Sequence, residues 1–533
     1  MHVMAYAPYG ADGIIIRVEA DIRRGIPGID ITGLAEGAVR EARERVMAAF
    51  RNSGYVFPLD RILINLAPAG VRKDGAYLDL PIALSVMAAA KLSPSPDNLM
   101  VMGELELSGR LRPVRGVLAA TAAGLRAGIQ EFIVPKENAP EAAILAAGRF
   151  AAVSTLGEAV QALGIRANTG SLPVQDAPEA ETPSSSAVFE GDFSEVRGQG
   201  RYKRVLEIAA AGGHNLLVFG PPGAGKTMLA RRLPSIMASL TTEDAVEVTR
   251  LYSLAEQMKD TDGRGLITKP PFRSPHHSAS AEGILGGGKA VKPGEISLAH
   301  LGVLFLDEAP EFKANVLQSL REPLEDRVIT ISRADGPVRL PADFQLLLAA
   351  NTCPCGRLGM RPVSLQSEDI ANDLGLYGGI DCFCSPEEIH RYWRKFGAAL
   401  LDRIELRVAV QTPKVKEMSG TGEETSSAIA QRVCRATEIQ RERFKGTPTR
   451  RNARMSPGMI DRYCVLSGEA ERAFAVATAK LGLSGRAFHG VLRVARTIAD
   501  LEGADSILPV HLLEAIQHRR MGDDPYDILS VTD

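Results

Sequence analysis

At the centre of the chain stands Gly220-Pro221-Pro222-Gly223-Ala224-Gly225-Lys226-Thr227, which carries glycine, lysine and threonine at every position that a phosphate-binding loop requires. Glycines allow successive backbone N–H groups to turn toward phosphate oxygens, because no Cβ atom obstructs them. Lys226 is then expected to reach the β- and γ-phosphates, and the hydroxyl of Thr227 to bind Mg²⁺. The sequence therefore predicts a site for ATP and Mg²⁺.

The segments on both sides of this loop favour the same interpretation. A short apolar run, residues 216–219, precedes it and is typical of a buried strand. The residues from Thr227 to Leu233 favour a helix, so that bound phosphates would lie at a helix N-terminus, where unpaired backbone N–H groups attract anions.

Two further apolar runs end in polar residues. Residues 302–306 are followed by Asp307 and Glu308, and residues 344–350 are followed by Asn351. In a P-loop ATPase we expect Asp307 to hold the Mg²⁺ shell, Glu308 to polarise the attacking water and Asn351 to orient that water. The order of these elements indicates the AAA+ branch of P-loop ATPases. The alternative for the two acids is that they cap a helix after the strand.

The composition is that of a soluble protein of several domains. The chain has 533 residues, 45% of them hydrophobic, and a formal net charge of −2. It contains no apolar run of about 18–20 residues and begins without a basic and apolar secretory leader, so we expect a cytoplasmic protein that does not enter a membrane. With so little net charge, any binding of nucleic acid must come from local basic patches. Six cysteines in a long intracellular chain argue against a disulfide framework.

Shifts in composition predict a multidomain α/β architecture. Residues 1–168 form a mixed α/β domain, and residues 169–190, rich in proline, serine and acidic residues, form a flexible linker. Residues 191–413 form the ATPase core, and residues 414–533 form a helical C-terminal domain.

Within the first domain, hydrophobic periodicity predicts individual elements. Apolar residues alternate over 13–20 and 61–66, which indicates two strands. Helical spacing over 36–51 predicts a helix whose buried face carries Val39, Ala42, Val46 and Phe50.

The ATPase core carries longer motifs of a known family. They are the segment 272–278 with its paired histidines, the three glycines 286–288, the segment 293–300 and the strand with its acids at 302–308. The chain thus resembles the ComM/YifB subfamily of magnesium-chelatase-like AAA+ proteins, bacterial ATPases associated with natural transformation. The resemblance covers nearly the whole chain. It implies a ring of identical subunits, expected to be a hexamer, that translocates on branched or single-stranded DNA and extends heteroduplex during homologous recombination.

The resemblance also implies a β-hairpin inserted before Asn351. Residues 328–339 fit it, because two strand-like flanks enclose the turn signal Asp335-Gly336. In hexameric helicases of this clade such hairpins point into the central pore, so Arg333 and Arg339 are candidate DNA contacts. The alternative is an ordinary surface hairpin.

The resemblance also implies functional roles for two more arginines. Arg403, in the segment 400–406, matches the family's arginine finger, which reaches into the ATP site of a neighbouring subunit. Such an arginine stabilises charge that develops on the γ-phosphate. Arg486, in the segment 484–489, occupies the position of sensor 2. For each, the alternative is a surface arginine in a salt bridge.

The N-terminal domain resembles the proteolytic domain of Lon-type proteases, which has the ribosomal S5-like fold. Tyr77 occupies the position of the nucleophilic serine and Leu118 that of the lysine. A serine–lysine dyad needs a hydroxyl nucleophile and an amine that takes its proton, and these two residues provide neither. We expect no protease activity, and a structural, assembly or DNA-contacting role instead.

Four cysteines occur as two C-x-C pairs after Asn351, namely Cys353, Cys355, Cys382 and Cys384. They can supply a tetrahedral Zn²⁺ site, or they can be reduced structural thiols. The pair His276-His277 has no neighbouring ligand in the sequence, which favours a structural role in its loop over metal binding.

Residues 432–454 contain many arginines interrupted by glutamates. This stretch can contact nucleic-acid phosphates, or it can be a solvated helix face with i,i+4 ion pairs. Besides a DNA translocase, two functions remain open: a protein-remodelling ATPase that uses the inert N-terminal domain for docking, and the motor subunit of a metal chelatase. The latter is disfavoured by the Lon-like domain and by the absence of a D-x-S-x-S motif from the sequence.

Overall fold

The structure is a computed structural model that describes residues 2–11, 13–34, 37–70, 73, 75–146, 149–173, 191–258, 265–288, 291–332, 337–358, 382–412, 423–481 and 483–520. No helix within these ranges is long and apolar enough to cross a membrane. Most of the predicted linker, and the predicted boundary at residue 413, lie outside the described residues.

The N-terminal domain is built on a mixed seven-stranded sheet. Its strands are β1 (His2–Ala7), β2 (Ile14–Arg23), β3 (Gly28–Thr32), β4 (Arg61–Ala67), β5 (Met100–Val101), β8 (Phe132–Pro135) and β9 (Phe150–Val153), and a separate ladder joins β6 (Glu104–Leu105) to β7 (Leu111–Arg112). The order across the sheet is β3-β4-β2-β1-β5-β8-β9. In β4 the side chains of Ile62, Ile64 and Leu66 are fully buried and alternate with more exposed neighbours, which confirms the predicted alternation.

Five helices accompany this sheet. They are α1 (Gly37–Asn52), α2 (Asp79–Ala89), α3 (Val117–Arg126), α4 (Ala139–Ala146) and α5 (Leu156–Thr169). Helix α1 confirms the predicted helix, since Val39, Ala42, Val46 and Phe50 are all fully buried along one face.

The ATPase core contains a five-stranded sheet in which every neighbouring pair is parallel. Its strands are β10 (Leu216–Phe219), β11 (Phe272–Arg273), β14 (Val303–Leu306), β17 (Gln345–Ala350) and β18 (Leu406–Ala409), in the order β11-β14-β17-β10-β18. The three central strands are buried along their whole length, which explains their apolar sequences. Because carboxyl ends of parallel strands share one edge, the residues after β10, β14 and β17 meet there.

Helices and two small ladders complete the core. The helices are α6 (Gly200–Gly212), α7 (Lys226–Arg232), α8 (Thr242–Leu254), α9 (Ala281–Leu285), α10 (Glu295–Leu298), α11 (Ala314–Ser319), α12 (Arg321–Asp326), α13 (Pro386–Arg394) and α14 (Ala398–Leu401). One ladder pairs β12 (Gly286–Gly287) with β13 (Lys292–Pro293). The other is the predicted hairpin, in which β15 (Val328–Ile331) pairs antiparallel with β16 (Val338–Pro341).

The C-terminal part is helical, as predicted. Its helices are α15 (Ser426–Arg443), α16 (Pro457–Tyr463), α17 (Gly468–Leu481), α18 (Gly485–Glu502) and α19 (Pro509–Arg520). Val494 and Ile498 of α18 share one hydrophobic core with Leu206 of α6 and Leu216 of β10. The helical domain therefore packs directly on the ATPase core.

The N-terminal domain also contacts the ATPase core. Leu254, at the end of α8, packs in one cluster with Tyr6 and Met100 of the N-terminal sheet. The hydroxyl of Ser253 accepts a hydrogen bond of 2.9 Å from the backbone N–H of Gly116, and it also bonds the buried carboxyl group of Glu141. Helix α8 is thus anchored on the Lon-like domain by both apolar and polar contacts.

Candidate functional site

The phosphate-binding loop connects β10 to α7, as the sequence predicts. Gly223 and Gly225 have φ angles of +76° and +81°, a region that side chains with a Cβ atom rarely adopt. At Gly220 an added Cβ would lie 2.2 Å from the backbone oxygen of Val410. These glycines are therefore required by the backbone path of the loop, which leaves its N–H groups at the N-terminus of α7.

Lys226 occupies the centre of the site. Its amine donates hydrogen bonds to the backbone oxygens of Gly220 at 2.8 Å and Pro221 at 2.9 Å, and to Oδ1 of Asn351 at 3.1 Å. Burial lowers the pKa of Lys226 to about 8, against the attraction of the nearby carboxylates. The lysine and Asn351, predicted from separate motifs, are in direct contact.

Thr227 and Asp307 form the second contact of the site. The hydroxyl of Thr227 donates to Oδ2 of Asp307 over 2.8 Å. A hydroxyl and a carboxylate oxygen are the hard ligands that Mg²⁺ prefers, and they are adjacent here. This donor set fits Mg²⁺ as the sequence predicts.

Glu308 lies at the mouth of the site. Its side chain is exposed, and its backbone has a φ angle of +48°, which is uncommon for a residue with a Cβ atom. Nδ1 of His277 lies 3.8 Å from its carboxylate. The sequence shows no carboxylate or cysteine near the pair His276-His277. The tertiary structure supplies a carboxylate from the candidate catalytic residue, because the segment after β11 runs beside the end of β14.

Arg403 and Arg486 meet at one carboxylate. Arg403 donates to Glu325 of α12 at 2.6 Å, and Arg486 bonds the other oxygen of the same group. The hydrogen bond from Arg403 lowers the pKa of Glu325. Arg486 also lies 3.6 Å from Asp402. Among the described residues, the contacts of these two arginines include none from the loop 220–227 of the same chain.

Of the two hairpin arginines, only Arg339 can be placed. It lies on β16 opposite Thr330 of β15, and both side chains are exposed. Arg333 and the predicted turn at 335–336 lie outside the described residues. The base of the hairpin is fixed by Leu340, which is fully buried in the core cluster with Ala11 of the N-terminal domain.

Comparison with known proteins identifies the family. Models named magnesium chelatase, subunit ChlI; subunit ChlI of Mg-chelatase; and magnesium chelatase, subunit ChlI C-terminal match residues 192–418, 18–138 and 423–519. The competence protein ComM of Haemophilus influenzae is 39% identical over 528 residues, which cover 97% of each chain. The protein YifB of Escherichia coli is 39% identical over 521 residues, or 96% of each chain. The chain belongs to the ComM/YifB subfamily of magnesium-chelatase-like AAA+ proteins.

Membership of the ComM/YifB subfamily implies ATP and Mg²⁺ as cofactors, and the contacts of Lys226 with Asn351 and of Thr227 with Asp307 are consistent with that. The N-terminal domain has a further relationship. The Lon protease of Salinispora arenicola is 30% identical over 139 residues, which cover 25% of this chain and 18% of that protein. The Lon-like character of this domain is therefore confirmed.

The dyad positions of the ComM/YifB protein lie in the N-terminal core. Tyr77 is 8% exposed and Leu118 is fully buried. The backbone N–H of Leu118 donates to the carboxyl group of Glu141 over 2.7 Å. The buried amine of Lys73 donates to the backbone oxygens of Gly33 and Pro68. Tyr77 and Leu118, which we expect at the Lon dyad positions, are thus packing residues.

The four clustered cysteines converge as the sequence predicts. Their sulfur atoms all lie within 4.8 Å of one another, although Cys355 and Cys382 are separated by 27 positions. The remaining two are also free thiols: Cys434 lies on α15, and Cys464 directly follows α16.

The arginine-rich stretch of residues 432–454 is used largely for internal contacts. Arg432 pairs with Glu207 and Glu424, and Arg443 pairs with the buried carboxylate of Asp500. Arg450 pairs with Asp244 and Glu247, Arg451 donates to Thr437, and Arg454 pairs with Asp343. These partners lie on other segments of the chain and not at i,i+4 positions of one helix, so the predicted helix-face pairing is not what is found. The contacts nevertheless disfavour a free phosphate-binding surface.

Proposed function

We propose that this ComM/YifB protein is a Mg²⁺- and ATP-dependent motor, assembled as a ring that we expect to be a hexamer, which translocates on DNA and promotes branch migration. Its role would be in homologous recombination during natural transformation, in the cytoplasm, where ATP and DNA occur together. The convergence of Lys226, Thr227, Asp307 and Asn351 carries the proposal of ATP hydrolysis. The printed name of the Haemophilus influenzae relative, competence protein ComM, supports the biological setting.

Each residue of the site has a distinct role in hydrolysis. Lys226 leaves its backbone acceptors to contact the β- and γ-phosphates, and Thr227 and Asp307 hold Mg²⁺. Glu308 polarises the attacking water, and Asn351, already bonded to Lys226, orients it. The exposed carboxylate of Glu308 is accessible for this role, and Nδ1 of His277 lies 3.8 Å from it.

The arrangement of Arg403 and Arg486 supports the ring. The two share Glu325, and none of their described contacts is to the loop that binds the phosphates. An arginine near the γ-phosphate stabilises the charge that develops there. We propose that Arg403, with Arg486 as sensor 2, supplies this charge to the site of the adjacent subunit, so that efficient hydrolysis requires assembly.

The hairpin supports DNA as the substrate. Arg339 is exposed on β16, and Arg333 belongs to the segment that joins the two strands. Two cations on one hairpin can follow phosphates without reading bases, as translocation requires. The internal pairing of residues 432–454 leaves the hairpin as the better candidate for this contact.

Two alternatives remain. A protein-remodelling ATPase is favoured by the contact between the inert Lon-like domain and α8, which provides a docking module joined to the motor. A chelatase motor subunit is favoured by the name of the matching family models. Neither alternative changes the roles at the ATP site.

One experiment separates the three. Turnover of ATP by the full chain is measured alone, with forked or four-way DNA, with single-stranded DNA, with an unfolded protein, and with a porphyrin and Mg²⁺ plus the partner subunits of a chelatase. We expect the branched or single-stranded DNA to raise turnover, and electron microscopy with an ATP analogue and forked DNA to show rings. Stimulation by the unfolded protein or by the chelatase components, with no response to DNA at low salt, would replace the proposal by the corresponding alternative.

A further inference from the structure

The four clustered thiols have the geometry of a metal site. The sulfur of Cys355 lies 3.4 Å from that of Cys353 and 3.7 Å from that of Cys382, and Cys382 and Cys353 are 3.6 Å apart. A tetrahedron with Zn–S bonds of about 2.3 Å has edges of about 3.8 Å, so the separations of these three sulfurs fit three corners of a Zn²⁺ site. These separations are far longer than a disulfide bond of about 2.05 Å. The sulfur of Cys384 lies within 4.8 Å of the other three, as a fourth ligand must.

Groups around the four cysteines contact the cluster and the chain segments that carry it. The backbone N–H of Leu358 points to the sulfur of Cys353 over 3.4 Å, a contact of the kind that stabilises a thiolate ligand. The guanidinium group of Arg357 lies 5.2 Å from the ring centre of Phe383, so the two C-x-C segments also touch outside the cluster. Cys353 is fully buried, whereas Cys355 is exposed.

The cluster is joined to the ATP site by short contacts. Cys353 follows Asn351 by two residues, and the intervening Thr352 donates to the backbone oxygen of Leu358 over 2.7 Å. The indole N–H of Trp393 donates to the backbone oxygen of Thr352 over 3.0 Å. Gly356 has a φ angle of +76°, and a Cβ atom there would lie 2.9 Å from Cδ of Pro222 in the phosphate-binding loop.

We propose that Cys353, Cys355, Cys382 and Cys384 bind one Zn²⁺ ion, and that this metal site holds the segment after β17 so that Asn351 stays against Lys226. Zn²⁺ would tie together two chain segments that are separated by 27 positions at Cys355 and Cys382. The metal site itself stands independently of the proposed motor; its effect on hydrolysis rests on the ATPase role of Asn351. Asn351 is a catalytic candidate, and the cysteines are positioning residues.

The metal is tested first on the unaltered full chain. Protein purified without chelator is analysed for bound metals, and its Zn²⁺ is then exchanged for Co²⁺. We expect about one Zn²⁺ per chain and, with Co²⁺, the absorption bands of a tetrahedral tetrathiolate site. Protein that contains no zinc and gives no thiolate–Co²⁺ bands would overturn the site, whatever its ATPase activity.

The link to Asn351 is tested with the double variant Cys382→Ser/Cys384→Ser, with Cys384→His, which keeps a Zn²⁺ ligand, and with the control Cys434→Ser outside the cluster. We expect the double variant to lose its zinc and, in the absence of DNA, to show a kcat for ATP at least about tenfold lower, with a much smaller change in affinity for an ATP analogue. Cys384→His should retain zinc, and the control Cys434→Ser should retain both zinc and turnover.

If the double variant does not fold, chelation of zinc from the intact protein followed by its return provides the same comparison. Loss and recovery of kcat with the metal would support the proposal. A zinc-free protein that hydrolyses ATP at the original rate would overturn the positioning role and leave the proposed motor intact.

Discussion

The amine of Lys226 lies 3.1 Å from the side-chain oxygen of Asn351, so the phosphate-binding loop and the end of β17 are in direct contact. This contact exists because β17 lies between β10 and β14 in the sheet. Asn351 is thereby placed beside both Lys226 and the strand that carries Asp307. In the proposed ATP complex the amine of Lys226 turns from these acceptors to phosphate, and we expect this exchange to link phosphate binding to the position of Asn351.

The roles of Lys226 and Glu308 predict different defects in two variants. Lys226→Ala should weaken ATP binding by about a hundredfold or more, because a buried charge that meets phosphate is lost. Glu308→Gln should bind ATP with nearly the affinity of the unaltered protein but slow hydrolysis by about a hundredfold or more, since it acts on the attacking water. Equilibrium binding of a fluorescent ATP analogue and single-turnover hydrolysis measure the two effects. Equal affinity for Lys226→Ala and the unaltered protein would contradict the assignment of the loop.

The buried amine of Lys226 predicts that the affinity for nucleotide depends on pH. Its pKa is lowered from 10.5 to about 8 by burial, so without nucleotide it loses its proton above that pH. Between about pH 8 and pH 10.5 the amine of Lys226 is protonated in the unfolded chain and largely neutral in the folded chain without nucleotide. The free energy of unfolding therefore rises with pH over this range. Phosphate needs the charged amine, so ATP affinity should instead fall by up to about tenfold per pH unit above about pH 8.

Calorimetry at pH 7, 8 and 9 in buffers of different ionisation enthalpy measures this affinity and the proton taken up on binding. The matched control is Lys226→Arg, whose guanidinium stays charged over the whole range. Any residual affinity of Lys226→Arg for ATP should not fall as the pH rises from 7 to 9. A flat profile for the unaltered protein would show that the amine is already protonated throughout.

Arg403 should act between subunits. We expect Arg403→Ala to assemble and to bind ATP but to hydrolyse it about a hundredfold more slowly or worse, because the developing charge is left without its cation. Mixing it with Lys226→Ala subunits should restore part of the turnover, since some interfaces then contain an intact loop and an intact arginine. Arg486→Ala subunits should likewise regain part of the turnover when they are mixed with Lys226→Ala subunits.

The control for this set is Arg472→Ala, an exposed arginine on α17 whose guanidinium donates to a backbone oxygen of its own helix. It should leave turnover unchanged. Mixtures that hydrolyse no faster than the sum of their components would argue that Arg403 serves its own subunit or has only a structural role at Glu325.

The hairpin arginines should govern the response to DNA. The double variant Arg333→Ala/Arg339→Ala is expected to reduce DNA stimulation of turnover far more than turnover without DNA. Each lost phosphate contact should also lower the slope of log affinity against log salt by about one. Thr330→Ala, exposed on the opposite strand of the same hairpin, is the uncharged control. A double variant that migrates branched junctions like the unaltered protein would refute the pore-hairpin assignment.

The N-terminal domain should have no peptidase activity, with or without ATP. Tyr77 and Leu118 stand where Lon needs a serine and a lysine, and both are packed in the core. Incubation with unfolded protein substrates and with a serine-reactive probe tests this. Labelling within residues 1–168 that rises and falls with proteolysis would overturn the expectation.

Much of this architecture could be predicted because its determinants are local. The φ angles at Gly223 and Gly225 require glycine within the loop itself, and the helical spacing of residues such as Val39 and Val46 shows which face is buried. The strand that ends in Asp307 and the strand that ends in Asn351 are short apolar runs with polar ends. Such features depend on a few neighbouring residues, so the sequence by itself determined the elements of the site and their family.

Only the tertiary structure decided which of these elements meet. Glu325 lies 78 positions from Arg403 and 161 from Arg486, and nothing in the local pattern joins them. The same holds for His277 beside Glu308, and for the internal partners of the arginines in residues 432–454. Charged side chains are tolerated at many surface positions, so local composition does not specify their partners. The order of strands in the sheet and the packing of helices on it bring distant charges together, and those depend on burial summed over the whole chain.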